Sequence, residues 1–382
     1  MKVFIATDSM KGSLTSLQAG EAIREGILRV FPDAEIQVCP LADGGEGTVE
    51  ALTVGMGGRF CSVPVTGPLA EKVDARYGIL PDGKTAIVEM SAAAGITLIP
   101  EEKRNPLYTT TYGVGEILRH AVAQGCRRFI VGIGGSATND GGAGMLQALG
   151  FGLYDAKGRQ IPFGARGLEK LKTITTDAVL PELQHCTFRV ACDVNNPLCG
   201  ETGCSAVFGP QKGATPSMIR QMDRWLEDYA SLAESVSPEA DPDYPGSGAA
   251  GGLGFAFRSF LHASLESGIR IVMEETRLEE HIRNADIIVT GEGRLDGQTV
   301  MGKAPVGVAS IAKKYGRPVL AFAGSVAPGA EACNRSGIDA FFPILRSVGT
   351  LEEAMDTENA RRNMADTVEQ AFRLLAVGRS IP

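Results

Sequence analysis

The chain writes Asp-Gly-Gly-x-Gly twice, as "LADGGEG" at residues 41–47 and "ATNDGGAG" at residues 137–144. Asp-Gly is a common hairpin turn, but a hairpin needs an alternating strand on each side. Here a strand-like run precedes each copy, Glu35 to Pro40 in one case and Phe129 to Ile133 in the other. The stretches just after the two copies, "TVEALTVGMGG" and "MLQALGFG", space their apolar residues as a helix does, as in Val49, Leu52 and Met56. Each copy is therefore expected in a strand-to-helix connection. Glycine there lets the backbone approach a ligand and aim N–H groups at it. The aspartate would repel a bare phosphate, and it makes sense if a metal cation lies between carboxylate and phosphate.

Other strand ends carry similar chemistry. Ligands of a parallel sheet gather outside the carboxyl ends of its strands. The first apolar run closes on Asp8-Ser9, with Lys11 just after; "FRVACD" closes on Asp193; "DIIVTGEGRLDGQ" delivers Glu292, Arg294 and Asp296. Any one of these acids could equally cap a helix. Acids, cations and glycines recurring at so many strand ends favour a metal–phosphate site. "GQTVMGKA" at 297–304 matches G-x-x-x-x-G-K but closes on Ala304, and "GEGRLD" separates it from its strand. A P-loop needs a hydroxyl there and comes directly after its strand, so the expectation is a glycine turn with Lys303 at a helix start, facing an anion or solvent. "GSGAAG" at 246–251 is preceded by "DPDYP" and not by a strand, which discounts it as a dinucleotide turn. None of His120, His185, His262 and His281 sits in a glycine-rich turn, which argues against a Ser-His-Asp hydrolase and for a carboxylate as general base. Cys186, Cys192, Cys199 and Cys204 lie near His185 without a paired C-x-x-C, so they are expected as ordinary thiols and not as zinc ligands.

The patterning also predicts the elements that must position these groups. Short apolar runs without strict alternation, such as "VFIA", "AIVEM", "FIVGIGG", "FRVACD", "DIIVTGEG", "PVLAFAG" and "DAFFPIL", fit strands buried on both faces. Helical patterns lie between them, including "SLQAGEAIREGILRVF" and "VGVASIAKKYG", so the order is βαβ and the sheets largely parallel. Residues 61–84 read instead as short strands joined by turns, and 235–254 as a Pro/Gly/Ala-rich loop long enough to suspect function. The fold class expected is α/β with two α/β domains. Residues 1–61 and 275–382 form a discontinuous doubly wound domain, Rossmann- or flavodoxin-like, with a second α/β domain, 62–274, inserted. The 382 residues suffice for this, and 48 glycines scattered at the ends of apolar runs suit many tight turns. A net charge of −8 with no long basic run argues against a nucleic-acid partner, and no apolar stretch reaches the roughly 18 residues of a membrane span. The start, "MKVFIATDSMKGS", reads as a buried strand and not a signal peptide, so a cytoplasmic protein is expected.

The blocks "ATDSMKGS", "LADGGEGTVEAL", "VTGPL", "GIGGSATNDGGAGMLQALG", "CDVNNPLCG", "VFGPQKGA", "GAAGGLG" and "TGEGRLDGQTVMGKAPVGVA" resemble, in order and over nearly the whole chain, those of type 1 glycerate kinases. The sequence departs at Thr7, where that family usually has proline. The resemblance implies ATP-dependent phosphorylation of D-glycerate, usually at the 2-hydroxyl, with the active site in a cleft between two α/β domains and with Mg²⁺ as the metal. Phosphoryl transfer is mainly positioning and charge stabilisation. On that basis Lys11, Arg294 and Lys303 are expected on anionic oxygens, and Asp43, Glu46 and Asp296 on Mg²⁺. Asp193 is expected as the base. Ser9 and Ser136 are expected on substrate or phosphate, Gly44-Gly45 and Gly141-Gly142 as donors of backbone N–H groups, and Asp140 as the residue that orients a turn. The competing readings are a nicotinamide-dependent reductase of a small hydroxy acid and a metabolite-sensing domain without catalysis. The residues alone reach a metal–phosphate site in a two-domain α/β protein; the substrate comes from the resemblance.

Overall fold

The structure, a computed structural model, describes residues 1–42, 44–45, 47–301 and 303–379. Its strands in chain order are β1 (Lys2–Thr7), β2 (Glu35–Pro40), β3 (Arg59–Thr66), β4 (Lys72–Ile79), β5 (Thr85–Glu89) and β6 (Arg128–Gly132). Then come β7 (Gly152–Tyr154), β8 (Thr173–Thr175), β9 (Thr187–Ala191), β10 (Ser264–Glu266), β11 (Ile287–Leu295), β12 (Val319–Val326) and β13 (Ala340–Pro343). Each of the unalternating apolar runs carries one of them. The chain divides into two compact units: Met1–Asp43 with Glu50–Gly55 and Val272–Pro382, and Gly44–Val49 with Met56–Ile271.

The first unit holds a parallel sheet in the order β13-β12-β11-β1-β2. From β1 the chain winds one way, through the helix Ser16–Leu28 to β2; from β11 it winds the other way, to β12 and β13. The reversal falls between β1 and β11, and that is where a doubly wound sheet opens a crevice at its carboxyl edge. The helix Ser16–Leu28 begins at Thr15, whose hydroxyl accepts from Gln18 N while Gln18 returns a bond to Thr15 N. This reciprocal cap satisfies two donors that a helix start leaves open. On one face Val3 and Ile5 pack with Ile23 and Ile27 of that helix and with Met364, Val368 and Phe372 of the helix Thr357–Arg379. On the other face Phe4 stacks on His281, with ring centroids 5.4 Å apart. Burial on both faces is why β1 shows no alternation.

The second unit holds a sheet in the order β10-β9-β6-β5-β4-β3, parallel from β5 through β6 and β9 to β10 and antiparallel at β3–β4–β5. The hairpin β3–β4 accounts for the turn-rich stretch read from the sequence. A separate ribbon pairs β7 with β8. Phe129 and Phe188 stack across β6 and β9 at 4.8 Å, and Phe257 of the helix Ala249–Leu261 meets Phe188 at 6.0 Å. The stretch expected as a loop from 235 follows directly on the helix Pro216–Glu234, and although the helix Ala249–Leu261 opens inside its glycine run, Ala250, Gly251 and Gly252 keep left-handed backbone, so regular helix begins at Leu253. Among the described residues, no helix is long and apolar enough to cross a membrane.

Candidate active site

In the first unit the turn after β1 runs over the end of β11. Asp8 N donates to Gly291 O at 2.9 Å, and Ser9 N donates to Asp8 Oδ1 at 2.6 Å. A Cβ built on Gly293 would stand 3.5 Å from Met10 Cα and 3.6 Å from Lys11 N, so this glycine lets the turn lie flat on the strand. Lys11 is thereby placed beside the segment that carries Glu292, Arg294 and Asp296, with its side chain exposed. Glu292 is buried; its Oε1 accepts from the Thr299 hydroxyl at 2.7 Å and its Oε2 lies 3.4 Å from Lys303 Nζ. Burial pushes the Glu292 carboxyl up from its ordinary range, against the pull of Thr299 and Lys303. Asp296 Oδ2 lies 3.5 Å from Arg294 Nε, and its Oδ1 accepts from Gln298 N at 2.8 Å. Lys303 caps the helix Ala304–Lys314, where the partial positive charge of the helix start adds to its ammonium. Ser9, Lys11, Arg294, Asp296 and Lys303 thus share the carboxyl edge of β1 and β11, while Asp43 and Glu46 lie outside the described residues. Glu292 is the strongest addition. Its place at a strand end was legible, but its partner Thr299, seven residues on, was not.

In the second unit the Gly44-Gly45 turn packs backbone to backbone on the ends of β6 and β9. Gly44 has φ +86°, and a Cβ there would clash with the Ala191 Cβ. Gly134 approaches Gly45 so closely that an added Cβ would lie 3.1 Å from Gly45 Cα. The next helix, Thr48–Gly55, is tied in by the Thr48 hydroxyl to Gly45 O at 2.8 Å and by Val49 N to Glu89 Oε1 at 2.7 Å. Gly134 and Gly135 are exposed, and Ser136, next to them, is buried in a backbone bridge with Gly95. Beyond β9 the exposed Asp193 accepts from Gly268 N at 3.2 Å, at the start of the helix Gly268–Glu275. Glu89, Gly44-Gly45, Gly134–Ser136 and Asp193 therefore lie along the carboxyl edge of β5, β6 and β9.

The second Asp-Gly-Gly copy turns inward. Asp140 is fully buried and accepts from Thr111 N (2.9 Å), Thr111 Oγ1 (2.9 Å), Gly142 N (3.2 Å) and Gly144 N (3.3 Å). Gly141 N donates to Gly251 O at 2.9 Å. The amides of Gly141 and Gly142, expected to face an anion, are thus taken up inside the protein, and Asp140 is what takes up the second. The "GSGAAG" run supplies the other support. Ala250, Gly251 and Gly252 all have positive φ, and a Cβ on Gly251 would clash with Thr138 O. Only a side-chain-free backbone approaches the loop this closely. The residue that sequence reasoning missed altogether is Lys212. It is 1% exposed and donates from Nζ to Thr138 O at 2.6 Å. Its setting, "GPQKGA", looks like a surface turn, so nothing local marks it.

Among the described residues no group of three or more His, Cys, Asp or Glu side chains is arranged to hold a metal ion. Mg²⁺ that travels with ATP needs just one or two protein carboxylates, the rest of its shell being phosphate and water. Asp296, partly exposed beside Arg294, fits that requirement. All eight cysteines are free thiols. The histidines have ordinary partners, such as Tyr77 OH for His120 at 2.9 Å and Glu239 for His262 at 3.2 Å.

Residues 3–376 match the model of the Glycerate kinase family. The chain is 49% identical over 378 residues to a protein of Escherichia coli (strain K12) named glycerate 2-kinase, covering 98% of this chain and 99% of that one. It is 46% identical over 382 residues to the glycerate kinase of Bacillus subtilis (strain 168), covering 99% and 100%. A crystal structure of a candidate glycerate kinase 2 from Salmonella typhimurium LT2 superposes with a TM-score of 0.91 at 47% identity, over 100% of both chains. With strand ends that gather acids, cations and glycines in the manner of a phosphoryl-transfer enzyme, the chain belongs to the glycerate kinase family.

Proposed function

We propose that the protein transfers the γ-phosphoryl group of ATP to the 2-hydroxyl of D-glycerate, giving 2-phosphoglycerate. The observation that carries this reading is the end-to-end match, at 49% identity, to a relative named glycerate 2-kinase. The site residues support it. Lys11, Arg294 and Lys303 put three cations on one strand edge, where they neutralise phosphate or glycerate carboxylate oxygens. Glu292, hydrogen-bonded to Thr299, holds the Lys303 ammonium in place from below. Asp193, at an exposed strand end, takes the proton of the attacking hydroxyl. Ser9 and Ser136 bond substrate oxygens, and the Gly44-Gly45 turn offers backbone to them at close approach. Asp296, with Asp43 and Glu46, would hold Mg²⁺, which supplies charge neutralisation on the transferred phosphate. We place the reaction in the cytoplasm, a compartment that supplies ATP.

Phosphorus NMR of the protein with ATP, Mg²⁺ and D-glycerate tests the reading. The expected spectrum shows ADP and the 2-phosphoglycerate monoester growing together. A 3-phosphoglycerate signal overturns the regiochemistry. ADP that appears equally without glycerate, or without a divalent metal, overturns the reaction.

A further inference from the structure

Lys212 ends a short 3₁₀ turn, Pro210–Lys212, and its ammonium sits inside the second unit with the Thr138 carbonyl as its hydrogen-bond acceptor. Among the described residues no carboxylate pairs with it within 4.0 Å. The titratable groups that act on it are Cys204 and Asp140, and burial brings its pKa down to about 8. A buried ammonium without a close carboxylate is costly, and an apolar side chain of the same length would avoid that cost. Stability therefore does not account for a lysine at this position. The loop it touches does. Thr138 lies between the exposed Gly134-Gly135 pair with the buried Ser136 on one side and the buried Asp140 anchor on the other, and Thr138 Oγ1, Asn139 Oδ1 and Tyr229 OH are buried there without hydrogen-bond partners. Asp140 fixes the far end of the loop, and Gly251 presses on the Thr138 carbonyl from one side. Lys212 holds the same carbonyl, so it sets the height of the segment that leads to Ser136 and to the contact of Gly134 with Gly45.

We propose that Lys212 is a positioning residue for glycerate: by holding Thr138 O it fixes Gly134–Ser136 in the geometry that binds the acceptor substrate, without touching that substrate itself. This rests on the reading of Gly134–Ser136 as part of the glycerate site. The test is Lys212→Met, which keeps length and bulk and removes the donor. A misplacement of about 1 Å at a reacting centre costs on the order of a hundredfold, so kcat/KM for glycerate is expected to fall roughly 10- to 100-fold. KM for ATP should stay within about twofold of wild type, and amide hydrogen exchange over residues 134–140 should accelerate while that of β9 does not. Unchanged kcat/KM for glycerate, or an equal loss for both substrates, overturns the proposal. If the Met variant does not fold, Lys212→Gln replaces it; failure of both to fold also overturns the proposal, since the lysine then serves the fold. A wild-type protein that does not phosphorylate glycerate at all defeats the functional reading instead, and that is seen before any variant is made.

Discussion

Replacing Asp140 tests whether the second glycine turn is held from inside. Asp140→Ala removes the acceptor of four buried donors: Thr111 N, Thr111 Oγ1, Gly142 N and Gly144 N. At about 1–3 kcal/mol for each donor left unsatisfied, the simple sum is roughly 4–12 kcal/mol. The sum overshoots, because burial already pushes the Asp140 carboxyl up and removing that charge returns part of the cost. Loss of one partner from a buried charged network typically costs about 3–5 kcal/mol, and we expect about 4 kcal/mol. Asp140→Asn should cost less. Its one oxygen, set in the Oδ2 position, still serves Thr111 N, Thr111 Oγ1 and Gly144 N, and just Gly142 N is left facing an amide. That is a loss of about 1–2 kcal/mol. Trp225 is the chain's single tryptophan and packs against the second unit's core, so its fluorescence during urea unfolding reports on this unit. With a slope of about 2–3 kcal/mol per M, the Ala variant should lower the midpoint by roughly 1.5–2 M. An Ala midpoint within about 0.5 M of wild type, or equal losses for Ala and Asn, would refute the hydrogen-bond argument.

Asp193→Asn should lower kcat on the order of 100- to 10,000-fold at saturating Mg²⁺ with an unchanged thermal midpoint. Near-normal turnover would leave Asp193 as an acceptor for the Gly268 amide and pass the role of base to another acid. Lys11→Ala should depress turnover while moving stability by no more than about 0.5 kcal/mol, since its side chain is exposed. Lys303→Ala should depress turnover as well, with a further loss of stability because it strips the buried Glu292 carboxyl of its cation; normal kinetics in both variants would remove the two lysines from the site. Arg189 grips Glu266 through Nε–Oε1 at 3.0 Å and Nη2–Oε2 at 2.7 Å, and this holds the Glu266 carboxyl at about 2. A carboxyl held below its unfolded value of 4.5 contributes stability that is full above pH 4.5 and is lost as pH falls towards 2. Urea midpoints read from Trp225 should therefore fall less steeply across that window in Glu266→Gln than in wild type, and identical slopes would contradict the pairing.

The parts of this protein that patterning made legible are those where one local signal decides the outcome. "VFIA" and "DIIVTGEG" are short, apolar and unalternating, and each became a strand buried on both faces; "FRVACD" also became a strand, with Phe188 and Val190 buried and Arg189 between them half-buried. Their polar last residues then fell at carboxyl edges by geometry alone. What stayed hidden depends on contacts between distant segments. Lys212 sits between glycines in a turn, where most lysines are solvated, and its burial exists because Thr138, 74 positions earlier, folds over it. The two Asp-Gly-Gly strings look alike, yet Asp140 is enclosed because the helix start at Ala250–Gly252 covers the turn it supports. Three successive left-handed residues, one of them alanine at φ 52°, arise from that enclosure and from no local preference.

The pairing of β1 with β11 also bears on synthesis. Ile5 of β1 lies beside Val289 of β11, although the ribosome makes them about three quarters of the chain apart. At roughly 5–20 residues per second, β1 waits about 15–60 s for that neighbour to be made. Met56–Ile271, by contrast, leaves the ribosome in one continuous stretch, with every strand of its sheet inside it. The nascent chain therefore carries a parallel strand with one edge open while the inserted unit is already able to close. Such an edge invites pairing with other chains for as long as it stays open.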